Sequence, residues 1–160
     1  MLVAFFESIK HVGHLYPIAI LRIYLGYVYF SNSLDRMEGA FLEQPRLAAT
    51  IMESIPNREV PVWYRDLLEN IVVPNWQIFA YTLVYIEFII GISFLLGFLV
   101  RPIALLGIFL AANAIFVVES SLIPMQQAYL ALFIVLFWIG AGRCFGLDYY
   151  FYKRQRGLWW

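Results

Sequence analysis

Four long apolar runs, set apart by two short polar breaks and one long acidic one, organise the chain's 160 residues. They cover about residues 15–34, 77–99, 101–118 and 124–142. Each approaches the ~20 residues that cross a hydrocarbon core of ~30 Å at ~1.5 Å per residue. Pro17 and Pro102 stand in opening turns, where a missing N–H does no harm. The short breaks make the second, third and fourth runs antiparallel neighbours. The long break, 35–76, holds seven acids (Asp35, Glu38, Glu43, Glu53, Glu59, Asp66 and Glu69) and two amphipathic helix patterns. Phe41, Leu47, Ile51 and Ile55 recur at helical spacing in the first; Trp63, Leu67 and Ile71 share one face of the second, after Pro61. The pattern predicts an all-α fold, a bundle of four transmembrane helices in a single domain, 1–160. The loop 35–76 is expected to cap it outside the cytoplasm.

Helical phase separates inward faces from lipid faces. Arg22, Gly26, Tyr29 and Ser33 lie on one stripe of span one, and Glu87, Gly91, Phe94 and Phe98 on one stripe of span two. Each charge shares its face with a glycine, which admits a second backbone or a flat ligand. Ionisable groups inside a span are costly in hydrocarbon and mark function or a buried partner. Arg22 and Glu87 are therefore expected to form a charge-assisted pair between spans one and two, either joining the helices or acting in chemistry. Ala104, Gly107, Ala111 and Ala114 form a small-residue stripe on span three, with Asn113 roughly opposite. Two such faces suggest a partner subunit or homo-oligomer, with the outer loop contributing. Gln126, Tyr129, Phe133, Phe137 and Gly140 line span four, as core packing or against a flat aromatic ligand.

Composition agrees with a membrane protein: 62% hydrophobic, 14% charged and a mean hydropathy of +0.74. A formal net charge of zero offers no basic field for nucleic acid. With four spans, Lys10, Arg101, Arg143, Lys153, Arg154 and Arg156 fall on one side, and Arg36, Arg46, Arg58 and Arg65 are spread through the acidic loop. The positive-inside rule then places both termini in the cytoplasm. Aromatic belts are expected at Trp63, Tyr64 and Trp76 outside, and at Tyr149 to Tyr152, Trp159 and Trp160 inside. The opening MLVAFFESIKHVGHLYP, residues 1–17, does not have the pattern of a signal peptide and is expected to lie at the interface as a short amphipathic piece.

Cofactor motifs are sparse. Cys144, the single cysteine, rules out a CxxC dithiol or an intrachain disulfide. His11 and His14 sit in one short segment, whereas a bis-histidine haem needs two facing helices. Neither metal nor haem ligation is expected within this chain. Asp148, in GAGRCFGLD, reads as a helix cap with a local pair to Arg143.

LRIYLGYVYF, EFIIGISFLLGFLVRP and the closing GRCFGLD resemble, in order, signatures of the DoxX family, and VWYRDLLENIVVPNWQIFAY resembles the loop before span two in its longer members. The resemblance implies a four-helix bundle tied to quinone-linked redox chemistry, as in the small membrane subunits of thiosulfate:quinone oxidoreductase. It marks Arg22, Gly26, Glu87, Gly91, Gly97, Arg101, Arg143, Gly146 and Asp148 as family-type positions. SNSLDR stands where the family carries a lysine-bearing motif late in span one. The expectation is a membrane subunit of a quinone-linked complex, with Glu87 and Arg22 as candidate catalytic residues. Gly26, Tyr29, Gly91 and Asn113 would line a quinone or lipid site between spans one, two and four. A non-catalytic accessory subunit of a larger complex is the rival; a small transporter ranks below both, since nothing resembles inverted repeats. The expected location is a prokaryotic plasma membrane.

Overall fold

Helix α1 runs Tyr16–Glu38 with no proline or glycine between Gly26 and Gly39 to stop it, so it continues past the Leu34 boundary that hydropathy suggests. Polar residues in SNSLDR end the apolar run without ending the helix. The structure, a computed structural model, describes residues 16–57, 60–143 and 146–148. Residues 1–15 of the expected interfacial segment, the inner aromatic belt and the side chain of Arg143 lie outside the described residues. After α1 come α2 (Arg46–Ser54) with a 3-10 turn at Ile55–Asn57, and α3 (Val62–Leu67), which widens into a π turn at Leu68–Val72. Then follow α4 (Trp76–Leu96), α5 (Val100–Val117) and α6 (Ile123–Ile139), the last entered through a 3-10 turn at Ser120–Leu122. No strand occurs among the described residues.

Among the described residues, three helical stretches are long and apolar enough to cross a membrane: Trp76–Leu96, Val100–Val117 and Ser120–Ile139. At 23 residues α1 is long enough, but Arg22 and four tyrosines make it less apolar than these. It nevertheless packs lengthwise along α4, as α5 does along α6. The α1–α4 crossing is close because both helices present glycine there. A Cβ on Gly26 would stand 2.9 Å from the Leu95 backbone nitrogen, and one on Gly91 2.7 Å from the Phe30 Cα. The glycines beside the two intramembrane charges thus admit each other's helix.

Inward stripes match the helical phases. Arg22, Gly26, Tyr29 and Ser33 are buried on α1, and Ala104, Gly107 and Ala111 on α5. One core joins Leu25, Tyr29, Ile90, Phe94, Phe133 and Leu136. A second, smaller core lies in the cap, where Ile51, Ile55, Val60, Tyr64, Leu68 and Val72 pack with Val117 at the end of α5. The cap's packing face differs from the expected one. Tyr64, Leu68 and Val72 point inward, whereas Trp63, Leu67 and Ile71 are exposed. Both series have helical spacing, and the contact with α5 selects between them.

Candidate functional site in the wall of the bundle

Glu87 is held by Arg36, not by Arg22. The Arg36 Nη1 donates to both carboxylate oxygens at 2.9 Å. The Glu87 side chain is 12% exposed and that of Arg36 37%, so the acid is sheltered while the arginine side chain remains partly open. Arg36 also covers the Phe41 ring, 5.0 Å from its centroid, a contact that steadies the planar cation. The extra turn of α1 makes this possible, since it carries Arg36 onward along the stripe of Arg22, Gly26, Tyr29 and Ser33. The polar stretch SNSLDR that ends the apolar run thus supplies the cation.

Arg22 serves the opposite end of α1. Fully buried, it donates from Nη1 to the Ala141 carbonyl at 2.7 Å, just past the end of α6. It also lies beneath Gly97, where a Cβ would come within 2.7 Å of Nη1. Gly97 closes α4 with φ +64°, a backbone shape that disfavours other residues. Arg101 packs in the same way under Gly140, the residue closing α6. Two cations thus sit at two helix C-termini, where carbonyl dipoles favour positive charge.

Asp148 completes this fastening. Its carboxylate accepts from the backbone N–H of Leu99 at 2.7 Å and of Val100 at 3.1 Å, capping the start of α5. Its own N–H donates to the Gly97 carbonyl at 3.0 Å, and that of Leu147 to Leu96 at 3.2 Å. Asp148 is a cap, as its sequence context suggested, but of a helix 48 residues away. The anchored turn includes Leu99, whose φ of +53° is strained for a branched side chain.

The space between α1, α4 and α6 is occupied by the chain's own rings. Tyr29 meets Phe133 edge-on at 5.3 Å and Tyr129 at 6.0 Å, and Phe94 lies 5.7 Å from Phe133. The Phe133 ring fills the notch at Gly107, so the small-residue stripe of α5 is spent on α6. Asn113 is engaged elsewhere, accepting from the Tyr64 hydroxyl at 2.9 Å and donating to the Phe109 carbonyl at 2.7 Å. Of the expected site residues, Tyr29 stays on the buried stripe of α1 that Arg36 continues toward Glu87. Gly26 and Gly91 pack helices, Arg22 belongs to the fastening, and Asn113 joins the cap to α5.

The DoxX family model matches residues 18–120, from the first turn of α1 to the turn before α6. This chain belongs to the DoxX family. The match contains Arg22, Gly26, Arg36, Glu87, Gly91, Gly97 and Arg101, and stops before Asp148. With the three apolar helices, it makes the chain a DoxX-family membrane protein. Searches of the curated proteins and of the solved structures returned no match.

Proposed function

We propose that this DoxX-family protein is a single-domain, four-span subunit of a quinone-linked redox complex in a prokaryotic plasma membrane. Both termini face the cytoplasm, segment 35–76 lies outside, and partner subunits hold the redox centres. The Lys and Arg distribution supports this orientation. The lengthwise packing of α1 on α4 supports a fourth span.

The Glu87–Arg36 pair carries the functional reading. An ion pair in the wall of a membrane bundle costs desolvation that helix packing alone does not require. Arg36 spends Nη1 on the carboxylate, and its side chain stays partly exposed. The remaining N–H groups of this side chain suit the carbonyl oxygen of a quinone head group at the side of the α1–α4 pair. The filled interior supports this position over one between spans one, two and four. A quinone supplies two-electron, two-proton carriage between the complex and the membrane. The chain's part is to orient the head group through Arg36 and to hold or release a proton at a Glu87 oxygen. Arg36 stabilises the carboxylate form once the proton has left.

Gentle purification from native membranes, followed by quinone analysis and turnover assays, tests this. Bound quinone is expected, with turnover falling at least tenfold (about 1.4 kcal/mol or more) in Glu87→Gln. A complex that contains no quinone would overturn it. The accessory-subunit reading is favoured by one observation, the closed aromatic interior. An assembled complex with full turnover in Glu87→Gln would establish that reading instead.

A further inference from the structure

We infer that the segment from Val60 to Val72 lies in the membrane interface, with Trp63, Leu67 and Ile71 embedded among the lipids of the outer leaflet. Apart from Val62, which is exposed in line with Asp66 and Asn70, its large apolar residues fall in two adjacent series, each with a four-residue repeat. Tyr64, Leu68 and Val72 are 9%, 5% and 7% exposed and fill the cap's own core. Trp63, Leu67 and Ile71, each one position earlier in its turn, are 69%, 38% and 51% exposed. Asp66, Glu69 and Asn70 complete the circumference and are exposed as well. Half of the segment's apolar arc is therefore covered by the protein and half is open beside a charged edge. Interfacial helices have this pattern.

Depth identifies lipid as the occupant. Tyr64 donates to Asn113, four residues before the end of the membrane-crossing helix α5. That contact lies about 6 Å inside the helix end at ~1.5 Å per residue. Interfacial helices bury their apolar face ~5–10 Å into the headgroup and acyl boundary. The open series sits beside Tyr64 at this level and leads through 73–75 into α4, whose Ile78, Tyr85 and Ile89 are exposed along the span. Exposed apolar residues thus lie on both the span and the cap. A tryptophan at its edge suits the interface, where an apolar ring and a polar N–H are both accommodated.

The inference rests on α4 and α5 crossing the membrane, and the test separates the two claims. Full-length protein carrying Cys144→Ser is given single cysteines at Leu67, Ile71, Asp66 or Asn70, with Ile89→Cys as the mid-span reference. Each is spin-labelled in phosphatidylcholine vesicles, and collision with oxygen is compared with collision with a water-soluble nickel chelate. The oxygen-to-nickel ratio is expected to be several-fold higher at Leu67 and Ile71 than at Asp66 and Asn70, and highest at Ile89. Equal ratios at all four cap positions, with Ile89 still lipid-exposed, would overturn the inference alone. Shielding of Leu67 and Ile71 from both reagents would also overturn it, in favour of protein covering this face. A nickel-accessible Ile89 would remove the membrane-span premise, and the inference with it.

Discussion

Glu87 and Arg36 show what one additional helical turn does to a charge in a membrane wall. Both oxygens of the carboxylate are bonded through one Arg36 nitrogen, so losing the cation leaves a sheltered anion with its main partner gone. Arg36→Gln should destabilise the protein by about 1.5–3 kcal/mol, the range for hydrogen bonds to charged groups. Adding Glu87→Gln should return part of that loss, as unfolding in mild detergent would show; strictly additive costs would mean the pair is uncoupled. The acid was legible in sequence because every neighbour in QIFAYTLVYIEFIIGISFLL is uncharged. Its partner was concealed by a polar stretch that reads as loop. The overlooked signal is periodicity, since Arg36 continues the series of Arg22, Gly26, Tyr29 and Ser33 by three residues. Asp148 is a different case, because only the folded chain brings it to the start of α5. Asp148→Ala should cost about 1–3 kcal/mol by removing two charge-assisted caps, with Asp148→Asn intermediate, read as a shift in unfolding midpoint.

Between elements, backbone approach and one polar latch set the geometry. A methyl at Gly91 meets the Phe30 backbone, which no rotamer change can relieve, so α1 and α4 must part. Gly91→Ala should cost about 1–3 kcal/mol and loosen α1 from α4, detectable as faster amide exchange in α1. The cap is fastened to α5 by Tyr64 on Asn113 and by Ser54 on the Val117 carbonyl. Tyr64→Phe should cost about 0.5–1.5 kcal/mol. Burial raises the Tyr64 pKa above the ordinary tyrosine value, so the neutral phenol is the form the fold favours. The latch's contribution is therefore full below pH ~10 and is lost as pH rises through the folded-state pKa. Stability measured against pH should show the wild type losing its advantage over Tyr64→Phe only on the alkaline side. The small-residue stripe of α5 was readable as a close-packing face. Its partner was not, because a glycine notch fits a ring of its own chain as well as a second subunit.

At the scale of the whole molecule, hydropathy located α4, α5 and α6 to within a few residues because a span's length is set by the bilayer. It located α1 less well, because arginine and tyrosines dilute the signal there. Each end of the molecule carries its own fastening. Arg22, Arg101 and Asp148 hold the helix termini at one end, and Tyr64, Asn113 and Ser54 tie the cap at the other. Between them, Tyr29, Phe94 and Phe133 close the centre, and the quinone site we propose therefore lies at the side of the α1–α4 pair. A light-activated azido-quinone added to native membranes, followed by peptide mapping of this chain, tests that claim most directly. Labelling is expected within residues 29–41 and 81–91, suppressed by excess unlabelled quinone and lost in Glu87→Gln. Labelling confined to other segments, or unchanged in Glu87→Gln, would contradict it.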